Sequence, residues 1–121
     1  MEAPSRRREA EDVMSIRIVV VDGQPLARFG LTRLIEGETD MEIVGEATTA
    51  AEAVGLIATT RPDVVTVDVT LPDGNGLTLA RELRDRWQSL GIVVLTTNGE
   101  DDVLFRAMET GVSAFVPTTS T

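Results

Sequence analysis

Apolar positions along this chain alternate between two textures. IRIVVV (16–21), MEIVGEA (41–47), DVVTVD (63–68), GIVVLTT (91–97) and SAFV (113–116) are short, rich in Val and Ile, and bounded by Gly, Pro, Asp or Asn. Runs of this length and composition predict buried strands. Between them PLARFGLTRLIEG (25–37), TAAEAVGLIATT (49–60), GLTLARELRDRWQ (76–88) and EDDVLFRAMETG (100–111) space their apolar residues three and four apart, which predicts amphipathic helices. Pro25 suits a first helical turn, and Gly37 and Gly111 fall where helices end.

Strands and helices in strict alternation imply right-handed crossovers and an open, doubly wound α/β parallel sheet with helices on both faces. The pattern contains five strands but four helices. Such a sheet must be covered on both faces, so the reading expects a closing fifth helix that is missing or truncated, or a partner chain in its place. The first fourteen residues, MEAPSRRREAEDVM, show no periodicity to bury and read as a flexible arm, leaving 15–121 as one domain. Arg6, Arg7 and Arg8 in that arm read as a solvated basic triplet, offset by Glu2, Glu9, Glu11 and Asp12.

Composition then narrows the chemistry. The chain holds 20 acids against 11 bases, and a net charge of -9 disfavours a grip on DNA or on an anionic membrane by this chain alone. Every base is an arginine, and Lys, His, Cys and Tyr are absent. Cys/His zinc sites, Ser-His and Cys-His nucleophile pairs, Schiff bases and disulfides are therefore excluded. No apolar run reaches the roughly 20 residues that span a bilayer, and the arm lacks the apolar core of a signal peptide, so a cytoplasmic protein is expected.

Function in such sheets gathers at the carboxyl ends of the strands. Asp22 stands after the first strand and Asp68 after the third, with hydroxyls at Thr96 and Thr97 after the fourth. With the first strand central, these ends converge on a small acidic and hydroxylic pocket. The plainer alternative makes each Asp a cap for the next helix or turn. VDGQPLARFG lacks the Gly-x-Gly-x-x-Gly of a dinucleotide site, and Gly74-Asn75-Gly76 lacks the Lys-Ser/Thr of a phosphate-binding loop.

VVVDxxP, TVDVTLPDGNG, VVLTT and GVSAFV, in that order and spacing, resemble the receiver domain of two-component response regulators, in particular the NarL/FixJ (LuxR-type) family, over about residues 16 to 119. The resemblance implies a flavodoxin-like (CheY-like) sheet of order 2-1-3-4-5. It implies the phospho-acceptor position at Asp68, a magnesium pocket at Asp22, Gly23 and the carbonyl of Thr70, switch positions at Thr96 and Phe115, and a lysine position at Thr118. Two of these depart from the family pattern: the second acid is Gly23 and the lysine is Thr118. Phosphoryl transfer needs cations to neutralise charge on the equatorial oxygens. A protein holds magnesium through few carboxylates, so losing one weakens the site. No cofactor is expected, with magnesium at Asp22 and Asp68 weak or absent, and no enzyme activity.

The leading expectation is an atypical receiver, a pseudo-receiver, of a transcription factor. It would be phosphorylation-independent and act as a homodimer or through a ligand or partner, with DNA bound by a C-terminal helix-turn-helix domain outside this chain. Alternatives are a conventional receiver whose Asp68 is phosphorylated by a histidine kinase, and a haloacid-dehalogenase-like phosphotransferase. The latter's Asp-x-Asp-x-Thr is half met by Asp68-Val69-Thr70, and its lysine is missing. A small polar molecule held by Asp22, Thr96, Thr97 and Thr118 is a further reading.

Overall fold

The computed structural model describes residues 15–96 and 111–117. Strands β1 (Ile16–Val21), β2 (Met41–Ala47), β3 (Val64–Asp68), β6 (Gly91–Thr96) and β7 (Ala114–Pro117) form one sheet of order β2-β1-β3-β6-β7, and every pairing in it is parallel. Counting sheet strands alone, this is the expected 2-1-3-4-5. Strands β4 (Thr70–Leu71) and β5 (Gly74–Asn75) form a separate antiparallel ladder. The sequence shows that segment only as a Pro-Asp-Gly turn, because two residues per strand are too few to alternate.

Helices α1 (Pro25–Glu36), α2 (Ala50–Thr60) and α3 (Gly76–Arg86) carry the crossovers. Alternation along the strands divides the core in two. Val19, Val21, Val65, Val67, Ile92 and Val94 point to one face, where Ala53 and Ile57 of α2 and Leu79, Ala80 and Leu83 of α3 cover them. Ile18 and Val20 point to the other, against Ile35 of α1. Side chains of opposite parity thus serve opposite layers, as a sheet buried on both faces requires. The expected helix at 100–111, the arm at 1–14, Thr97 and Thr118 lie outside the described residues. Among the described residues no helix is long and apolar enough to cross a membrane.

Two close approaches position the loops around the strand ends. A Cβ on Gly76 would collide with the carbonyl oxygen of Asp68 and lie 2.8 Å from its carbon, so only glycine lets the start of α3 sit against the end of β3. The Gly76 N–H donates to Val69 O at 2.6 Å and closes the loop there. Asn75 caps the helix, its Oδ1 accepting from Leu77 N at 2.7 Å.

Candidate functional site

Parallel register brings the two strand-end acids together. Val21 is paired with Val67, so the next residues, Asp22 and Asp68, emerge side by side on adjacent strands. Strand order reverses between β1 and β3, which is where an open parallel sheet opens a crevice. Asp68 in turn is paired with Leu95, which puts Thr96 at the same rim. Asp22, Asp68, Thr70 and Thr96 line the polar end of a cleft of about 310 Å³, and Ala27, Leu31, Leu34 and Leu95 form its apolar wall.

Asp22 is 6% exposed and serves the turn as well as the cleft. Its Oδ1 accepts from Gln24 N at 2.9 Å, the local turn bond that an aspartate at a strand end makes. Its backbone N–H donates to Ala47 O at 3.0 Å, and its carbonyl accepts from Arg28 Nη1 at 2.8 Å. The residue thus shapes the loop and lines the cleft.

Asp68 is half-buried, and burial pushes its carboxyl above the ordinary aspartate range. The Thr70 N–H, donating to Asp68 Oδ1 at 3.2 Å, pulls the other way. The charge of Asp22 and a side-chain hydrogen bond to it raise Asp68 further. Like charges in contact share protons, so one acid fewer in the pocket has not removed the repulsion. Thr96 is buried at 3% exposure. Phe115 lies on β7, paired with Val94.

Gly23 follows Asp22, at the position where the resemblance implies a second acid. A Cβ there would collide with Pro72 Cδ, with Cγ at 2.7 Å and the Thr48 carbonyl oxygen at 3.3 Å. The proline ring occupies the space into which a side chain would leave the backbone. Among the described residues no three His, Cys, Asp or Glu side chains group as metal ligands. Asp22 and Asp68 are the two carboxylates that line the cleft. Arg28, beside them, directs its guanidinium away from both. Arg28 pairs through Nε with Glu46 Oε1 at 3.2 Å, and its Nη1 donates to Thr48 Oγ1 at 3.3 Å as well as to the Asp22 carbonyl. Its cation is spent on the loops under the cleft.

Sequence reasoning located Asp22, Gly23, Asp68, Thr70 and Thr96 and missed Arg28 and Pro72. Pro72 carries a signal in its Pro-Asp-Gly turn, but its packing on Gly23 follows from the approach of two loops. Arg28 carries no motif.

Comparison with known proteins identifies the architecture. The response regulator receiver domain model matches residues 18–119. The chain is 37% identical over 101 residues to the DNA-binding transcriptional activator DevR/DosR of Mycobacterium tuberculosis, covering 84% of this chain and 46% of that one, so it spans about half the length of this relative. Among solved structures, a LuxR-family two-component response regulator from Aurantimonas is 35% identical with a TM-score of 0.80, covering 84% of this chain and 72% of that one. The signal receiver domain of the NarL response regulator of Mycobacterium tuberculosis is 29% identical with a TM-score of 0.83, covering 88% and 86%. With the family matched from β1 past β7, and the two acids placed side by side where strand order reverses, the chain belongs to the response regulator receiver domains, within the NarL/LuxR type.

Proposed function

We propose that this domain is an atypical receiver that controls transcription without depending on phosphoryl transfer to Asp68. The observation that carries the reading is Gly23 seated against Pro72 where a second carboxylate would otherwise stand. A carboxylate nucleophile must be ionised, and its phosphoryl donor must meet cations that absorb charge on the transferring group. Arg28 is committed elsewhere, and no lysine exists in the sequence. Magnesium binding at Asp22 and Asp68 is accordingly weak or absent.

In this reading control passes through association, either with a second copy or with a small polar ligand in the cleft beside Asp22 and Thr96. A homodimer is supported by three exposed apolar side chains on α1, Leu26, Phe29 and Leu34. DNA contact belongs to a helix-turn-helix domain outside these residues, in keeping with the similarity to a DNA-binding transcriptional activator. The acidic balance of the chain fits that division, since a net charge of -9 repels a phosphate backbone. The protein is placed in the cytoplasm, and no catalytic turnover is assigned to it.

The test is incubation with magnesium and acetyl phosphate, followed by intact-mass spectrometry beside an ordinary receiver as control. The expected outcome is no phosphoryl adduct while the control is labelled. Labelling at Asp68 at the control's rate would overturn the proposal in favour of a conventional phospho-acceptor.

A further inference from the structure

Arg84, in the last turn of α3, directs its guanidinium, among the described residues, at neutral oxygens. Nε donates to Gly111 O at 2.9 Å, Nη1 to Gln88 O at 2.7 Å and Trp87 O at 3.4 Å, and Nη2 to Ser113 Oγ at 3.3 Å. Three of these acceptors are backbone carbonyls. A planar fork with five donors in fixed directions can meet such a set, whereas an ammonium on a flexible stem cannot meet it from one position.

The far side of this contact is the entry to β7. Gly111 has φ +82, in the left-handed region, and a Cβ there would lie 3.3 Å from Arg84 Cγ, so the position favours glycine both for its backbone and for the approach of the arginine. Ser113 is then tied to the start of β6 in both directions. Its N–H donates to Ile92 O at 2.7 Å, and its Oγ accepts from Ile92 N at 3.0 Å. The ladder of β7 on β6 begins at the next residue, with Ala114 opposite Val93 and Phe115 opposite Val94.

β7 is four residues long and pairs only with β6 among the described residues. A short edge strand has little of its own to specify register, and a slip of one residue turns every side chain to the other face. We propose that Arg84, acting through Gly111 and Ser113, is the positioning residue that sets the register of β7 and so holds Phe115 opposite Val94. The clamp grips the amino end of the strand, away from the acids. The inference does not depend on whether Asp68 accepts a phosphoryl group.

The test is amide hydrogen exchange, read residue by residue, on the whole chain and on Arg84→Met and Arg84→Lys. The β7 amides are expected to exchange about tenfold faster in both variants, with Val19 and Val65 in the central strands unchanged. Lysine is expected to give no rescue, because it cannot reach the set of acceptors together. Uniform acceleration in all strands would mark Arg84 as a general stabiliser and overturn the proposal, as would unchanged exchange in β7 or full rescue by lysine. Should Arg84→Met fail to fold, Arg84→Lys beside the parent is read the same way, with selective loss in β7 supporting the clamp and uniform or no loss refuting it.

Discussion

Asp68 sits where burial and a neighbouring carboxylate both oppose its charge, and that has a consequence for stability. A carboxyl whose folded-state pKa is raised binds its proton more tightly when folded. Stability therefore falls as pH rises from the ordinary aspartate value through the raised one, and the loss is complete above it. Asp68→Asn keeps an oxygen to accept from Thr70 N–H and offers Asp22 an amide donor in place of a charge. The variant is expected to be more stable than the parent at pH 7, with the gain fading at about pH 4 and below, where Asp68 is protonated in both folded and unfolded chains. Urea unfolding of both proteins across that range checks it, and an equal gain at every pH would contradict the electrostatic cause. Thr66 presents a separate case on β3. Its Oγ1 is buried with no hydrogen-bond partner among the described residues. Val20 and Val93 lie opposite it on the two neighbouring strands. Thr66→Val replaces an unpaired hydroxyl by a methyl group of similar shape, and a gain of about 1 kcal/mol in unfolding free energy is expected. A loss on substitution would mean that the hydroxyl has a partner.

Helix α2 shows how the elements hold the cleft's surroundings in place. Its first N–H groups have no partners within the helix, and side chains from two loops supply them. Thr49 Oγ1 accepts from Glu52 N at 3.1 Å while Glu52 Oε1 accepts from Thr49 N at 3.3 Å, a reciprocal capping box. Asp73, from the turn after β4, accepts from Ala50 N at 2.9 Å and Ala51 N at 3.1 Å. The Ala50 bond, the largest influence, holds the Asp73 carboxyl below its ordinary range against burial, which raises it, and the Ala51 bond adds to the lowering. Its share of stability is thus present above the ordinary value and lost as pH falls through the depressed one. Thr49→Ala is expected to cost about 1 kcal/mol, measured by chemical denaturation. A cost near zero would show that Asp73 alone suffices as the cap. The strands and helices were legible because burial on two faces writes itself into spacing, and Asp22 and Asp68 because each ends a β-branched run. The tie from Asp73 to α2 was not, since its 22-residue separation from Ala51 leaves no periodic trace. The same holds for Pro72 against Gly23: the sequence shows that an acid is missing but not that a proline ring packs into its place.

For the whole molecule the open question is association, and α1 is the element that bears on it. Ile35 and the partly buried Leu31 hold the helix to the sheet, while Leu26 is 84% and Phe29 58% exposed on its outer surface and Leu34, 73% exposed, stands at the rim of the cleft. The Arg33 guanidinium lies over the Phe29 ring, 5.6 Å from its centre. Apolar residues grouped in this way on a small domain are the feature on which the proposed homodimer rests. Association must also overcome like charge, because each copy carries -9. Salt screens that repulsion over distances beyond about 8 Å at physiological strength while leaving apolar burial intact. A dimer built on α1 is therefore expected to tighten as sodium chloride rises, the reverse of a dimer held by ion pairs. Sedimentation velocity over a range of protein and salt concentrations measures this directly. Leu26→Glu and Phe29→Glu place charge on the outer surface without touching Ile35, so both are expected to shift the population to monomer while leaving the melting temperature of dilute protein near that of the parent. Monomer under all conditions, or a dimer indifferent to both substitutions, would remove α1 as the interface.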